Sequence, residues 1–247
     1  MKKVINLFFI LILLSVSGTA QVTPTGEEIL RRVDANIGSD NKISTAEMII
    51  HTKRGNRSMK SKSWLMGEEK SFTEYLAPAR EKGTKMLKLE DQLWMYIPST
   101  DRTIKISGHM MRQSVMGSDL SYEDMMEDSQ LLNNYEANVI GEETLLDRAC
   151  WVLELTSKVE DIAYHSRKIW VDKERYISLR EDRFARSGKL LKTFEASDVK
   201  RIQNRWIPTH MIFKDVLKGG EGTEFILESI EFNAVIPEHV FTKASLR

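Results

Sequence analysis

The stretch that decides the fold is residues 93–106, which read LWMYIPSTDRTIKI. Leu93 and Met95 stand on one side of an alternating pattern, and Trp94 stands on the other. Successive side chains of a β-strand point to opposite faces, so this alternation is typical of a strand. Residues 98–102 contain the polar and proline residues of a turn. The stretch therefore predicts two strands joined by a short turn.

The same period of two recurs along most of the chain. Met48 and Ile50 share one predicted face, as Trp151 and Leu153 do later, and turn residues such as Gly219 lie between the runs. About ten or eleven short strands spaced by roughly 8–12 residues indicate an antiparallel meander. A sheet of that length must curl or split. We predict a mainly β protein with small helices, in which one curved antiparallel sheet forms an incomplete, half-open β-barrel covered by helices.

Two short helices are expected beside the sheet. Thr25 and Glu28 form a capping box, which predicts an amphipathic helix over residues 25–37. Ser121, with Asp124 three residues later, predicts a second helix of about two turns. A helix that short is marginal alone in water, so it must dock on an apolar surface.

The composition is that of a globular chain with balanced charge. Of its 247 residues, 41% are hydrophobic, and the 36 basic residues equal the acidic residues in number. This balance provides no electrostatic footprint for nucleic-acid binding. The one cysteine, Cys150, excludes an internal disulfide and a cysteine-based zinc cluster. Its apolar neighbours predict that it is buried.

The first twenty residues have the pattern of an export signal. Lys2 and Lys3 precede an apolar run of about 11 residues, and small residues follow up to Ala20. This order predicts a signal peptide over residues 1–20 that is cleaved after Ala20. The alternative, a membrane anchor, needs roughly 20 apolar residues. We expect an exported mature chain, residues 21–247, that forms one domain and does not span a membrane.

Signals of catalysis are weak. The histidines are scattered without the spacing of a zinc protease, at His51, His109, His165, His210 and His239. Gly117-Ser118-Asp119 is not a nucleophile elbow. We expect no enzymatic activity, no metal and no cofactor. A lipid hydrolase is kept as an alternative, which would need a serine within hydrogen-bond reach of a histidine inside the cavity.

Methionines are concentrated in the centre of the chain. Five of the twelve lie between residues 110 and 126. Methionine is flexible and suits surfaces that accept varied apolar partners. Ordinary core filling and a lid over a ligand both explain the concentration, and the residues alone leave both interpretations open.

Two segments, residues 94–106 and 117–124, carry a family likeness, and the GSD-x-SYED stretch in the second is the more specific. They resemble the outer-membrane lipoprotein-sorting protein family, the LolA/LolB-like periplasmic carriers of Gram-negative bacteria. The resemblance covers about residues 24–247. It implies an incomplete barrel, closed by helices, around an apolar cavity that carries lipoprotein acyl chains through the periplasm. The chain is also similar to proteins associated with RND-type exporters, which extends the cargo to other lipids.

This resemblance implies a non-enzymatic periplasmic carrier or chaperone that moves lipids toward the outer membrane. An acyl chain costs about 0.8 kcal/mol per CH₂ in water, so a soluble carrier must bury it. The expected partners are lipoprotein acyl chains or other lipids and an inner-membrane RND-type or ABC-type exporter, with the carrier itself a monomer. The alternative is a periplasmic sensor or an accessory subunit of an RND-type exporter.

The predicted site has a wall and a lid. The wall residues are Trp94, Met95, Trp151, Leu153, Phe225 and Leu227, with strand parity left open. The lid residues are Met116, Tyr122, Met125 and Met126. Arg102 is predicted to bind lid carbonyls or an anionic headgroup, and a local ion pair with Asp101 or another nearby acid is the alternative.

Overall fold

A single 13-stranded antiparallel sheet dominates the computed structural model, which describes residues 23–53, 55–127 and 130–247. The predicted signal peptide, residues 1–20, lies outside these residues. The strands are β1 (Asn41–Ile50), β2 (Arg57–Met66), β3 (Lys70–Ala77), β4 (Lys85–Leu89), β5 (Gln92–Ile97), β6 (Arg102–Ile106), β7 (Tyr135–Leu145), β8 (Arg148–Ser157), β9 (Ser166–Asp172), β10 (Ser178–Phe184), β11 (Leu190–Ile202), β12 (Arg205–Asp215) and β13 (Thr223–Phe232). The helices are α1 (Gly26–Ile37), α2 (Tyr122–Met126) and α3 (Leu131–Asn134).

The sheet consists of two meanders that meet at one strand pair. Its order is β6-β5-β4-β3-β2-β1-β13-β12-β11-β10-β9-β8-β7, so the pairing of β1 with β13 joins the two halves. Within the described residues the edge strands β6 and β7 do not pair with each other. The predicted half-open antiparallel sheet is thus confirmed. Apolar alternation does not reveal β10, because its inward positions carry Glu181 and Arg183.

The position of α2 requires a strongly bent sheet. Five residues of α-helix are about 7.5 Å long, yet α2 contacts both β5 and β11. Tyr122 lies 3.7 Å from the sulfur of Met95, and Asp124 accepts a hydrogen bond from Lys192. These strands are seven places apart in the sheet, which in a flat sheet would separate them by roughly 34 Å. A helix this short reaches both because the sheet curls around a hollow.

We call the face of the sheet that carries α1 the inner face. The predicted capping box is present, since Thr25 accepts from the Glu28 amide at 3.2 Å and its own amide donates to the Glu28 carboxylate at 2.9 Å. Ile29 and Leu30 are then fully buried against the inner side of β7–β9. A Cβ at Gly26 would lie 2.3 Å from a carbonyl oxygen of β7, so only glycine allows this approach.

The other half of the inner face is covered by residues 107–127, which we call the lid. The lid contains two short 3₁₀-helices, Gly108–Arg112 and Val115–Gly117, followed by α2. Its methionines pack on a cluster of buried side chains from β1–β6. The cluster comprises Met48, Ile50, Met59, Tyr75, Met86, Leu93 and Ile106.

The outer face is covered in part by the C-terminal residues 233–247. Phe241 and Leu246 pack there on Leu87 and Trp94. Cys150 is fully buried in a second outer cluster, as its sequence neighbours predicted. None of the helices formed by the described residues is long and apolar enough to cross a membrane.

Packing beneath α1 predicts a large effect of shortening Leu153. This side chain is fully buried, whereas Leu217 is 58% exposed. We expect Leu153→Ala to lower the free energy of unfolding by about 2–5 kcal/mol, because it removes buried methyl groups and leaves a cavity. Leu217→Ala makes the same chemical change at the surface and should alter it by less than about 0.5 kcal/mol. Urea titration of both variants checks the difference, and equal effects would contradict the assigned packing.

Candidate functional site

A cavity of about 350 Å³ lies on the inner face where α1 and the lid fail to meet. Its volume is in the range of about 300–1,000 Å³ that is typical of small-molecule sites. The apolar side chains that line it are Val33, Ile37, Leu120, Leu131, Tyr176, Ile177, Phe194, Pro208, Met211 and Phe213. The polar and charged ones are Asp34, Asn36, Asp124, Glu127, Arg167, Ser178, Glu181 and Arg183.

A row of aromatic rings forms the floor of the cavity and continues under the lid. Phe194 and Phe213 are opposite each other on β11 and β12, with ring centroids 4.9 Å apart. Phe225 on β13 extends the row at 5.4 Å from Phe213. All three side chains are only partly buried. The floor therefore offers apolar surface that the protein's own side chains leave uncovered.

Asp124 anchors α2 to the opposite half of the sheet. Its carboxylate accepts hydrogen bonds from Lys192 on β11 and from the Tyr164 hydroxyl, and it lies 3.8 Å from the Arg183 guanidinium. Burial alone would raise the pKa of Asp124, but Lys192 and Tyr164 outweigh burial and hold that pKa below its usual value. Asp124 is thus ionised at neutral pH and ties the lid to β10 and β11.

Glu127, one residue past α2, makes a second attachment. It accepts from Arg167 on β9 and lies 3.5 Å from Arg183 on β10. Glu181 on β10 completes the cluster, at 3.3 Å from Arg167 and 3.1 Å from Arg183. Burial lowers the pKa of Arg167 to about 9, which still leaves the guanidinium charged at neutral pH. We call these side chains, with Asp124 and Lys192, the latch cluster.

Asp119, which precedes α2, makes a further attachment of the lid to the sheet. Its carboxylate accepts from the Thr223 hydroxyl at 2.7 Å and from the Asp215 amide at 3.0 Å. Lys88, buried on the inner face of β4, donates to the Met126 carbonyl at the end of α2, at 3.4 Å. Polar groups of the sheet therefore hold the lid at four residues, Asp119, Asp124, Met126 and Glu127.

These contacts explain the residues of the GSD-x-SYED stretch. Gly117 adopts a φ of +81°, which favours glycine. Asp119 binds β12 and β13, and Ser121 caps α2 in a capping box with Asp124. Tyr122 is buried among the apolar residues of β1–β6, while Asp124 binds the latch cluster. The stretch fastens a short helix across the hollow.

Comparison with solved structures finds the same architecture elsewhere. An outer membrane lipoprotein-sorting protein domain from Vibrio parahaemolyticus is 26% identical, with a TM-score of 0.76 over 90% of this chain and 97% of that one. A DUF1329 family protein from Desulfovibrio piger is 25% identical, with a TM-score of 0.81 over 90% and 98%. A LolA superfamily protein from Nitrosomonas europaea, at 22% identity, shares the fold with a TM-score of 0.75 over 90% and 100%.

A family model described as "-like: Uncharacterized protein" matches residues 67–247, which is most of the chain. The chain belongs to this family, and its structural neighbours include an outer membrane lipoprotein-sorting protein domain and a LolA superfamily protein. No curated protein matches the chain. The resemblance that residues 94–106 and 117–124 indicated is confirmed.

In this family member, the predicted wall residues are spread over two faces. Met95 and Phe225 belong to the cluster beneath the lid, and Leu227 shares the face of Phe225 by strand alternation. Trp151 and Leu153 lie on the inner face but are covered by α1. Trp94 is on the outer face under the C-terminal residues, because it alternates with Met95, so it does not belong to the candidate site.

The predicted lid residues do belong to the lid, but they do not line the open cavity. Met116, Tyr122, Met125 and Met126 pack on the apolar cluster of β1–β6. From the lid, the side chains that reach the cavity are Leu120, Asp124 and Glu127. The closed lid thus uses its methionines as core, which was one of the two interpretations of their concentration.

Arg102 does not fasten the lid of this structure. It is exposed at the start of β6 and pairs through its backbone with Ile97, whereas Lys88, Arg167, Arg183 and Lys192 contact lid residues. Apolar alternation cannot find these four residues, because they are charged side chains at inward positions. For Lys88 alone, the sequence did contain a signal of such a role, because this charged residue lies within an otherwise apolar strand.

A larger cleft of about 700 Å³ lies at the C-terminal end of α1. Its walls are mainly polar or charged and include Arg31, Asp40, Glu68, Asn133 and Arg205. Such a lining suits water better than an apolar ligand. The smaller cavity with the aromatic floor is therefore the candidate site.

One serine does lie within hydrogen-bond reach of a histidine, but on the outer face. Ser197 is 3.0 Å from Nδ1 of His210, and Nε2 of His210 is 3.0 Å from Glu224, which also binds His51 at 2.6 Å. These side chains alternate with the cavity residues Phe213 and Phe225, so they lie outside the cavity. Within the described ranges, no set of three or more His, Cys, Asp or Glu side chains is arranged as a metal site.

The His51–Glu224 pair predicts a measurable titration. The hydrogen bond to Glu224 raises the pKa of His51 above its usual value of 6.5, and hydrogen bonds from His210 and His51 lower the pKa of Glu224. The stabilisation from charged His51 is therefore present below about pH 6.5 and is lost as the pH rises through the raised pKa. NMR titration should show this raised pKa, and Glu224→Gln should return it toward 6.5. An unchanged His51 pKa in that variant would contradict the assignment.

The latch cluster predicts a local effect of Asp124→Asn. Breaking a buried ion pair leaves Lys192 without its partner, so we expect amide exchange in residues 108–127 to become at least about tenfold faster, while exchange in β7–β9 changes little. Hydrogen-exchange mass spectrometry measures both regions. Glu123→Gln is the matched control, since it makes the same change on α2 beside Asp124 without removing a latch residue. Equal exchange in the two variants would contradict the latch.

Proposed function

We propose that this protein is a non-enzymatic periplasmic carrier that binds the acyl chains of lipoproteins or other lipids and moves them toward the outer membrane. The observation that carries the proposal is the partly exposed aromatic floor of Phe194 and Phe213, which continues through Phe225 under a lid held by polar contacts. The similarity to an outer membrane lipoprotein-sorting protein domain supports the same function.

The space that the closed lid leaves can grow when the lid moves. The cavity floor at Phe213 is continuous with Phe225, and Phe225 is continuous with the cluster beneath the lid. Lifting the lid would add Met95, Phe225 and Leu227 to the wall, with Met116, Tyr122, Met125 and Met126 as the mobile cover. Ten methylenes buried there would gain roughly 8 kcal/mol.

The construction of the lid suits reversible opening. Its regular parts are short helices, which are marginal in water without a docking surface. Methionine can repack against cargo of varied shape. When the lid lifts, its carboxylates and the cations of the sheet regain water, which offsets part of the lost attraction. Opening is thus inexpensive compared with the burial of an acyl chain.

The alternatives have weaker support. A sensor or exporter subunit would be favoured by a filled interior and a large apolar patch outside, whereas this interior keeps a cavity and the outer side of β3–β5 is covered by residues 233–247. A hydrolase would need the Ser197–His210 pair inside the cavity, and it lies outside. An inner-membrane RND-type or ABC-type exporter remains the proposed donor partner, and cleavage after Ala20 the proposed route to the periplasm.

The test is lipid binding by the mature protein, residues 21–247. We expect native mass spectrometry and organic extraction to detect bound lipid, and a fluorescent fatty acid to bind saturably. Phe213→Ala should weaken that binding by about tenfold, because it removes part of the apolar floor. Ile212→Ala is the matched control, one residue away on the opposite face. Absence of lipid after purification and after reconstitution with lipids would overturn the carrier proposal.

A further inference from the structure

The charges of the latch cluster are divided unequally between the sheet and the lid. The sheet contributes three cations, Arg167, Arg183 and Lys192, and one carboxylate, Glu181. The remaining carboxylates, Asp124 and Glu127, belong to the lid. With the lid closed the six charges balance. With the lid lifted, the sheet keeps two positive charges in excess.

These cations are deeply placed in the closed structure, and a cargo that fills the opened cavity would again exclude water from them, so they need an anionic partner in both the closed and the loaded state. The side chain of Arg167 is 1% exposed, and those of Arg183 and Lys192 are 11% exposed. A buried charge without a partner is strongly destabilising. Even in the closed structure, the Arg167 Nε is buried and lacks a hydrogen-bond acceptor among the described residues. The site thus has an unused donor with the lid closed, and it gains an excess of positive charge when the lid lifts.

The cations stand directly beside the apolar floor. Arg183 is opposite Lys192 in the pairing of β10 with β11, and Phe194 follows Lys192 on the same face of β11. Arg167, Arg183, Phe194 and Phe213 all line the one cavity. A ligand that places a hydrocarbon tail on the rings would bring its polar head to the guanidinium and ammonium groups.

We propose that the cargo is an anionic amphiphile, an acyl lipid with a phosphate or carboxylate head, and that the head replaces Asp124 and Glu127 on Arg183 and Lys192. This inference rests on the proposed carrier function. Guanidinium groups bind phosphate and carboxylate oxygens through paired hydrogen bonds, which a zwitterionic or neutral head satisfies less well. By competing with the lid's own carboxylates, the head frees α2. Binding of the correct cargo therefore loosens the lid.

The experiment compares two lysolipids with the same acyl chain, lysophosphatidylglycerol and lysophosphatidylcholine, with inorganic phosphate as a third ligand. We expect the anionic lysolipid to bind the mature protein at least about tenfold more tightly than the zwitterionic one, and phosphate alone to bind far more weakly than either. Hydrogen exchange in residues 108–127 should become faster with the anionic lysolipid than with the zwitterionic one.

Two variants locate the preference on the sheet cations. Lys192→Gln should reduce the preference for the anionic lysolipid to about threefold or less, and Arg183→Gln provides the same test if the first variant does not fold. Lys189→Gln, at an exposed position of the same hairpin, is the matched control and should keep the preference.

The outcomes separate this inference from the carrier proposal. Equal affinity for the two lysolipids, or a slower-exchanging lid with the anionic one, would overturn the headgroup assignment and leave the carrier proposal standing. Binding of phosphate as tight as that of the anionic lysolipid would make the site one for a free anion. Failure of both lysolipids to bind would overturn the carrier proposal and this inference together.

Discussion

The rest of the structure depends on how a very long antiparallel sheet covers its inner face. A 13-stranded sheet buries that face only by curling around other elements, and this chain supplies two, α1 and the lid. They cover opposite halves and leave a gap at β10–β12. The latch cluster spans this gap with charges instead of apolar side chains, which keeps the halves together without filling the space between them.

This arrangement makes α1 a fixed cover of the sheet and the lid a movable one. The packing of α1 is apolar, with a capping box and fully buried side chains at Ile29 and Leu30. The lid combines apolar packing by methionines with polar attachment at Asp119, Asp124 and Glu127. Polar attachments exchange readily for water or for a charged ligand, so the lid is the element that a cargo can displace.

Sequence reasoning could predict the elements but only part of the site. Alternation in residues 93–106 and the capping boxes at Thr25 and Ser121 predicted strands and helices that the structure confirms. Which of the predicted site residues face the cavity depends on strand register, which the sequence does not specify. Trp94 and Met95 are neighbours in sequence but face opposite sides of the sheet, and the pairing that places them is a property of the whole sheet.

Sequence reasoning missed mainly the charged residues whose side chains point to the inner face. Arg167, Arg183 and Lys192 come from three strands, and nothing local to any of them indicates that they meet Asp124. Of the aromatic floor, Phe225 was among the predicted wall residues, whereas Phe194 and Phe213 were missed, since the three rings meet only through strand pairing.

The most direct test of the hollow is methionine methyl NMR with a spin-labelled fatty acid. Met211 lines the cavity, whereas Met66 belongs to the outer cluster. The label should broaden the Met211 methyl signal at low molar ratio and leave that of Met66 sharp, because an acyl chain on the inner floor lies close to the former only. Broadening of Met66 alone, or of both signals equally, would contradict an acyl chain within the curved sheet.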